Sequence, residues 1–149
     1  MPMIDVTYQR DAIDADVASR LADTLLATLL RWEGAPDNDA ARSLAWAFTN
    51  GIDELRVAGD PDGGPYLRVS VTTPAGALDD IRRAGLVAEV TDDVLAALGL
   101  PNDWDHARRV WVQLHEIADG SWGAAGSIWR FSDIARFVTT GHAPMGVAP

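Results

Sequence analysis

The sequence predicts an α/β (α+β) fold in which two tandem β-α-β units form one four-stranded sheet, with two helices on one face and a C-terminal hairpin. Three observations predict it. Ile4, Val6 and Tyr8 alternate with Asp5 and Thr7, the period of a half-buried strand. Val17, Leu21, Leu25 and Leu29 then fall four apart, with Ala18, Ala22 and Leu26 beside them, which makes one apolar helical stripe. The whole pattern then returns. Pro2 and Val6 recur as Pro65 and Val69 at an offset of 63, while Gly34, Pro36, Trp46 and Ile52 recur as Gly99, Pro101, Trp111 and Ile117 at an offset of 65. A repeat of this kind decides the fold before any single element does.

In chain order, Asp11 or Asp14 is placed to cap the first helix, which runs to about Arg31 and stops at Gly34 with Pro36 beyond it. Residues 42–49 read as the second strand, and residues 50–64, rich in glycine and proline, as a connection. Residues 64–71 repeat the opening strand. A second helix is predicted over residues 78–98, with Val87, Val90, Val94 and Leu98 on its apolar face. Gly85 inside it costs about 1 kcal/mol relative to alanine. Residues 109–115 form the closing strand. A crossover helix is long enough to make the two strands of each unit parallel. One sheet face is then covered by the helices and the other needs a cover, for which a symmetric oligomer is the simplest source. The extension over residues 116–130 reads as a hairpin and carries a turn signal at Asp119-Gly120, with Trp122 and Trp129 expected to pack on another subunit or over a pocket. Ser132 is placed to cap a short helix through Val138, and the Gly/Pro/Ala tail after it is expected to fray. The chain thus reads as a single domain over residues 1–149, with units at about 2–53 and 65–131 and a tail at 132–149.

Composition narrows the function. At 149 residues the chain suits one domain, which buries roughly 68–70% of its unfolded surface. It contains no cysteine, which excludes disulfides, thiolate metal sites and a cysteine nucleophile. The net charge of −10 argues against nucleic acid and against an anionic membrane surface. All 12 basic residues are arginine, so a lysine Schiff base and the usual pyridoxal phosphate chemistry are excluded; no cofactor or metal is expected. No apolar run is long enough to span a membrane and no signal sequence leads the chain, so a cytoplasmic setting is expected.

Pro2 is the candidate for chemistry. Proline is tolerated at the start of a strand because it has no N–H to give to the ladder. Were Met1 removed, as a small second residue usually allows, the Pro2 nitrogen would become a secondary amine, able to hold or release a proton near neutral pH. A strand would hold that amine at a sheet margin, a suitable place for a general base. Pro65 occupies the equivalent position in the second unit but has no amine, being mid-chain.

Met-Pro leading directly into a strand, a doubled β-α-β unit, and a strand ending in Glu116 followed by Trp122-Gly123-Ala124-Ala125-Gly126 together resemble the tautomerase superfamily, the 4-oxalocrotonate tautomerase-like proteins, in a fused two-unit form. The resemblance covers residues 2 to about 130. It implies a tautomerase/MIF-like fold, a homotrimer, a small carboxylic acid as substrate and Pro2 as the catalytic base. By the same resemblance Trp122 walls the site, and Gln113 falls where some fused members place a tyrosine. The family's two arginine positions are poorly kept. Arg10 lies two residues short of the first, and the second falls on Trp46 and Trp111. Arg68, Arg109 and Arg130 are candidates for a substitute carboxylate clamp. His115 shares a side with Gln113 and Trp111, and Glu116 is a candidate to orient Pro2 or Arg130.

The expected function is therefore a proline-based tautomerase or isomerase of small 2-oxo or enol acids. A hydratase or dehalogenase of unsaturated acids is the alternative on the same fold. A histidine near the end of the first helix and paired arginines after Val71 would favour it, where this chain has Leu29-Leu30 and Thr72-Thr73. A non-catalytic trimeric binding protein is the third reading.

Overall fold

A computed structural model describes residues 2–59 and 64–143. Strand β1 (Met3–Gln9) lies at the centre of the sheet, and its burial alternates as the sequence pattern requires, with Ile4, Val6 and Tyr8 inside. After a short 3₁₀ turn at Arg10–Ala12, helix α1 (Ala15–Glu33) begins with Asp14 at its N-cap position. It buries Leu21, Leu25 and Leu29 along one stripe. Helix α2 (Asp39–Leu44) and strand β2 (Trp46–Ile52) complete the first unit. The second unit runs β3 (Leu67–Pro74), α3 (Asp80–Ala97), the one-turn α4 (Trp104–Ala107) and β4 (Val110–Ile117). The strand order is β2-β1-β3-β4. Strands within a unit are parallel, and the units meet through an antiparallel β1–β3 pair.

The internal repeat is visible in atomic detail. Val6 pairs with Val69, the residue that the offset of 63 makes its equivalent, so the pseudo-two-fold passes between them. Gly34 (φ 70°) and Gly99 (φ 65°) end the two long helices in left-handed backbone, which a side chain disfavours. Each is followed by the same closure, Ala35 N donating to Leu30 O at 3.0 Å and Leu100 N to Leu95 O at 2.9 Å.

The sequence reading needs correction in several places. Residues 42–44 belong to α2 rather than to a strand, because Asn38 Oδ1 accepts from Ala41 N at 2.8 Å and starts a helical turn. Its repeat equivalent, Asp103, starts α4 by accepting from His106 N at 3.0 Å. Both caps sit two residues after a proline, a signal that the strand assignment passed over. Helix α3 is capped by Asp79, which accepts from Arg82 N, and its buried residues are Leu86, Val90, Val94 and Leu95, with Val87 and Leu98 only half-buried. The hairpin is short, β5 (Gly123–Ala124) against β6 (Ser127–Ile128), and turns at Ala125-Gly126; the turn signal at Asp119-Gly120 forms a separate turn before it, closed by Ser121 N donating to Ala118 O at 2.9 Å. Arg130, not Ser132, is the N-cap of α5 (Phe131–Thr140). The expected fraying falls mainly on residues 144–149, which lie outside the described residues, as do residues 60–63 of the expected connection.

The two helices cover one sheet face at close range. A Cβ built on Gly85 would stand 2.1 Å from the Trp32 ring, so the indole occupies the space that a side chain would take. Trp32 Nε1 donates to Glu89 Oε2 at 2.8 Å, and Thr28 Oγ1 donates to Asp93 Oδ2 at 2.7 Å. The opposite face is open: Trp46 and Trp111 are 61% and 66% exposed, on the side that also carries Phe48 and Gln113.

Gly85→Ala tests the helix contact. The substitution gains about 1 kcal/mol of helix propensity, yet displacing the indole costs about 1–3 kcal/mol. Urea unfolding is therefore expected to show a net loss in the wild-type background. In a Trp32→Ala background the same change is expected to stabilise.

Candidate active site

The antiparallel register places Met3 opposite Thr72, so the start of β1 reaches the end of β3. Pro2 is buried there, its carbonyl accepting from Trp46 N at 3.1 Å. It lines a cavity of about 200 Å³. The end of α1 contributes Leu30 and Glu33, β3 contributes Pro74, and the segment after it contributes Ala77. Helix α5 lines the cavity with Phe131, Ile134 and Val138.

Helix α5 is pinned at both ends. Asp119 Oδ1 accepts from Phe131 N at 2.8 Å, and Oδ2 accepts from Arg130 Nη1 at 3.0 Å. These two bonds hold the Asp119 carboxyl below its ordinary range. Further along, Asn38 Nδ2 donates to Val138 O at 2.8 Å and ties α5 to α2. Trp129 is buried against Phe137 edge-on, with ring centroids 5.5 Å apart. One of the two tryptophans flagged in the sequence thus seats the lid within its own chain.

Glu33 is the residue that the sequence reading missed. Its Oε1 is buried with no hydrogen-bond partner. Burial raises its pKa from 4.5 to about 7, while the positive charge at the chain's amino terminus acts in the opposite direction. A polar residue beside the glycine stop of an amphipathic helix was the available signal, but sequence alone does not distinguish a sealed carboxyl from a solvated one. Among the described residues, the only other polar side chain in the lining, Thr139, is occupied with the carbonyls of Ala135 and Arg136.

None of the seven predicted substrate-binding side chains lines this cavity within one chain. Arg10 is held by Asp53 and by Gly51 O, both at 2.8 Å. Arg68 donates to Thr7 Oγ1 at 3.2 Å, and Gln113 Oε1 accepts from Ser70 Oγ at 3.3 Å. Trp111 stands exposed in the neighbouring strand, as does His115. Arg109 donates to Gly64 O at 2.9 Å and lies over Tyr66, and Arg130 is paired with Asp119. The Trp122 carbonyl accepts from Trp129 N at 2.8 Å, within the short hairpin. Glu116 orients neither Pro2 nor Arg130; it accepts from Arg83 Nη2 at 2.7 Å, which keeps its carboxyl below the ordinary range. Among the described residues, no group of acidic, histidine or cysteine side chains is placed to hold a metal, and no helix is long and apolar enough to cross a membrane.

The raised Glu33 pKa has a definite sign. Between pH 4.5 and about 7 the folded protein keeps a proton that the unfolded chain has released, so this group's stabilising contribution is lost as pH rises through that window. The loss is on the order of 3 kcal/mol. Glu33→Gln is expected to remove it. Unfolding free energies of wild type and variant, measured from about pH 4.5 to pH 8, are then expected to diverge in the variant's favour.

No family model matches the sequence, and no curated protein matches it. Solved structures do resemble the fold. A member of the cis-3-chloroacrylic acid dehalogenase (cis-CaaD) family superposes at a TM-score of 0.68 with 21% identity, covering 85% of this chain and 82% of its own. The Q0 fused 4-OT symmetric trimer matches at 0.68 and 21%, over 85% and 94% of the two chains. Macrophage migration inhibitory factor from Toxoplasma gondii matches at 0.67 and 12%, over 85% and 99%. With the doubled β-α-β unit and the Pro2 cavity in place, these likenesses identify the architecture: the chain has the tautomerase-superfamily fold.

Proposed function

We propose that this protein is a tautomerase or isomerase in which Pro2, freed by removal of Met1, is the general base toward a small 2-oxo or enol substrate. The observation that carries this reading is that Pro2 is buried in the wall of a largely apolar cavity rather than set at a solvated chain end. The amine takes a proton beside a carbonyl or from an enol and returns it at another position. An apolar enclosure lowers an amine's pKa toward base chemistry, since it disfavours the charged form. The likeness to a dehalogenase and to fused 4-OT chains supports catalysis by the fold.

A homotrimer goes with this reading. Fused 4-OT chains with this fold are a symmetric and an asymmetric trimer. The open sheet face of this chain, with Trp46, Phe48 and Trp111 at 61%, 44% and 66% exposure, is the surface that such packing would cover. The arginines on that side, and Trp122, would then meet a neighbouring subunit's cavity instead of their own.

A hydratase or dehalogenase would use the same cavity, but Leu29-Leu30 and Thr72-Thr73 do not supply the histidine and arginines that favour it. A non-catalytic trimeric binding protein is the reading that follows if Met1 stays.

Intact mass is expected to show a chain that lacks Met1. Pro2→Ala, with Met1 still removed, is expected to abolish turnover of phenylenolpyruvate followed by absorbance while the trimer persists in sedimentation. Unchanged turnover would exclude Pro2 as the base. Trp46→Glu with Trp111→Glu places charge on the open face and is expected to shift the sedimentation coefficient to that of a monomer.

A further inference from the structure

Helix α5 presents one face to the cavity beside Pro2. Phe131, Ile134, Ala135 and Val138 line it at i, i+3, i+4 and i+7, the spacing that sets side chains on one side of a helix. Ile134 is buried, Val138 is half-buried and Phe131 is 41% exposed, so this apolar face runs from the interior to the surface. Leu30, Ala41, Pro74 and Ala77 line the same cavity from other parts of the chain.

The helix is seated by other groups. Phe137 packs edge-on against Trp129, with ring centroids 5.5 Å apart. Asn38 Nδ2 donates to the Val138 carbonyl, and Asp119 Oδ1 accepts from the Phe131 N–H, both at 2.8 Å. Those two bonds use the backbone of α5 and leave the side chains of Phe131 and Val138 to the cavity. Hydrocarbon that replaces water against such a face is bound favourably.

We propose that this face of α5 is the specificity wall of the site. It receives the apolar side chain of the substrate, an enol or 2-oxo acid that carries a single ring or a branched hydrocarbon of similar size. The inference rests on the reading of Pro2 as the base. The size fits, since a cavity of about 200 Å³ takes one ring where roughly 150 Å³ takes benzene. The acid end of the substrate falls to groups outside α5, including side chains that a neighbouring subunit would bring. Such a neighbour adds to the site without displacing α5, whose anchors at Asn38, Asp119 and Trp129 lie in its own chain.

The test uses the full chain and three stable acids that differ in the apolar end: propanoate, 3-phenylpropanoate and 3-(4-methylphenyl)propanoate. Calorimetry is expected to show 3-phenylpropanoate bound at least about tenfold more tightly than propanoate. Val138→Ala makes room at the wall, so the affinity of the methylated ring relative to the plain ring is expected to rise about tenfold over wild type. In wild type with labelled isoleucine and valine methyl groups, NMR is expected to show nuclear Overhauser contacts from the ring protons of bound 3-phenylpropanoate to Ile134 and Val138. This last measurement needs no variant and decides the matter should Val138→Ala loosen the helix, which loss of the Trp129–Phe137 contact would reveal. Binding of 3-phenylpropanoate no tighter than that of propanoate overturns the proposal. So do ring contacts that fall on other residues, or an unchanged ratio in a Val138→Ala chain that keeps its Trp129–Phe137 contact. With turnover still dependent on Pro2, each of these results overturns the wall alone. Turnover that survives Pro2→Ala overturns the proposed function, and with it the claim that α5 receives that reaction's substrate.

Discussion

The antiparallel pairing of β1 with β3 is the constraint on which the rest of the molecule depends. Because Val6 pairs with Val69, each unit's opening strand runs against the other's, and the start of the first strand reaches the end of the third. Both strands are buried on the helix side by alternate residues, so a slip of one position would turn Ile4, Val6, Val69 and Val71 out of the core. A register this strongly specified fixes Pro2 beside Pro74 and Ala77. It also leaves the starts of the two units facing opposite ways, so the equivalent Pro65 lies at the other end of the strands, ahead of β3.

The cavity is an asymmetric feature of a nearly symmetric scaffold. The repeat reproduces the helix stops, the capped short helices and the parallel strand pairs. Among the described residues, the helix after β4 has no counterpart in the first unit. Asp119 turns it at the α5 N-terminus, Asn38 holds its far end, and Ile134 is buried against the scaffold. This extension lines the cavity beside Pro2, with Glu33 in the same wall. The cavity wall thus joins the end of α1 to a helix that lies about a hundred residues further along the chain.

Much of the fold was legible because its signals are local and occur twice. Alternation marked β1 and β3, the apolar stripes marked α1 and α3, and Gly34 and Gly99 marked the helix ends. The strand assigned to residues 42–44 was wrong because a two-turn helix carries too few residues to show a period, and the cap at Asn38 was the signal that mattered. Gly85 was legible only as a cost. Its reason, the Trp32 ring in the space above it, lies on another helix.

Within the site, the sequence determined Pro2 and the strand that carries it, since both follow from residue types in immediate succession. It also determined that no lysine or cysteine takes part. The tertiary structure decided which residues join Pro2. Arginines with suitable chemistry are held by carboxylates and carbonyls elsewhere in the chain, and a glutamate with no distinguishing motif is drawn into the cavity wall. Charge pairing and desolvation depend on distances between segments far apart in the chain, and a linear order of residues does not contain those distances.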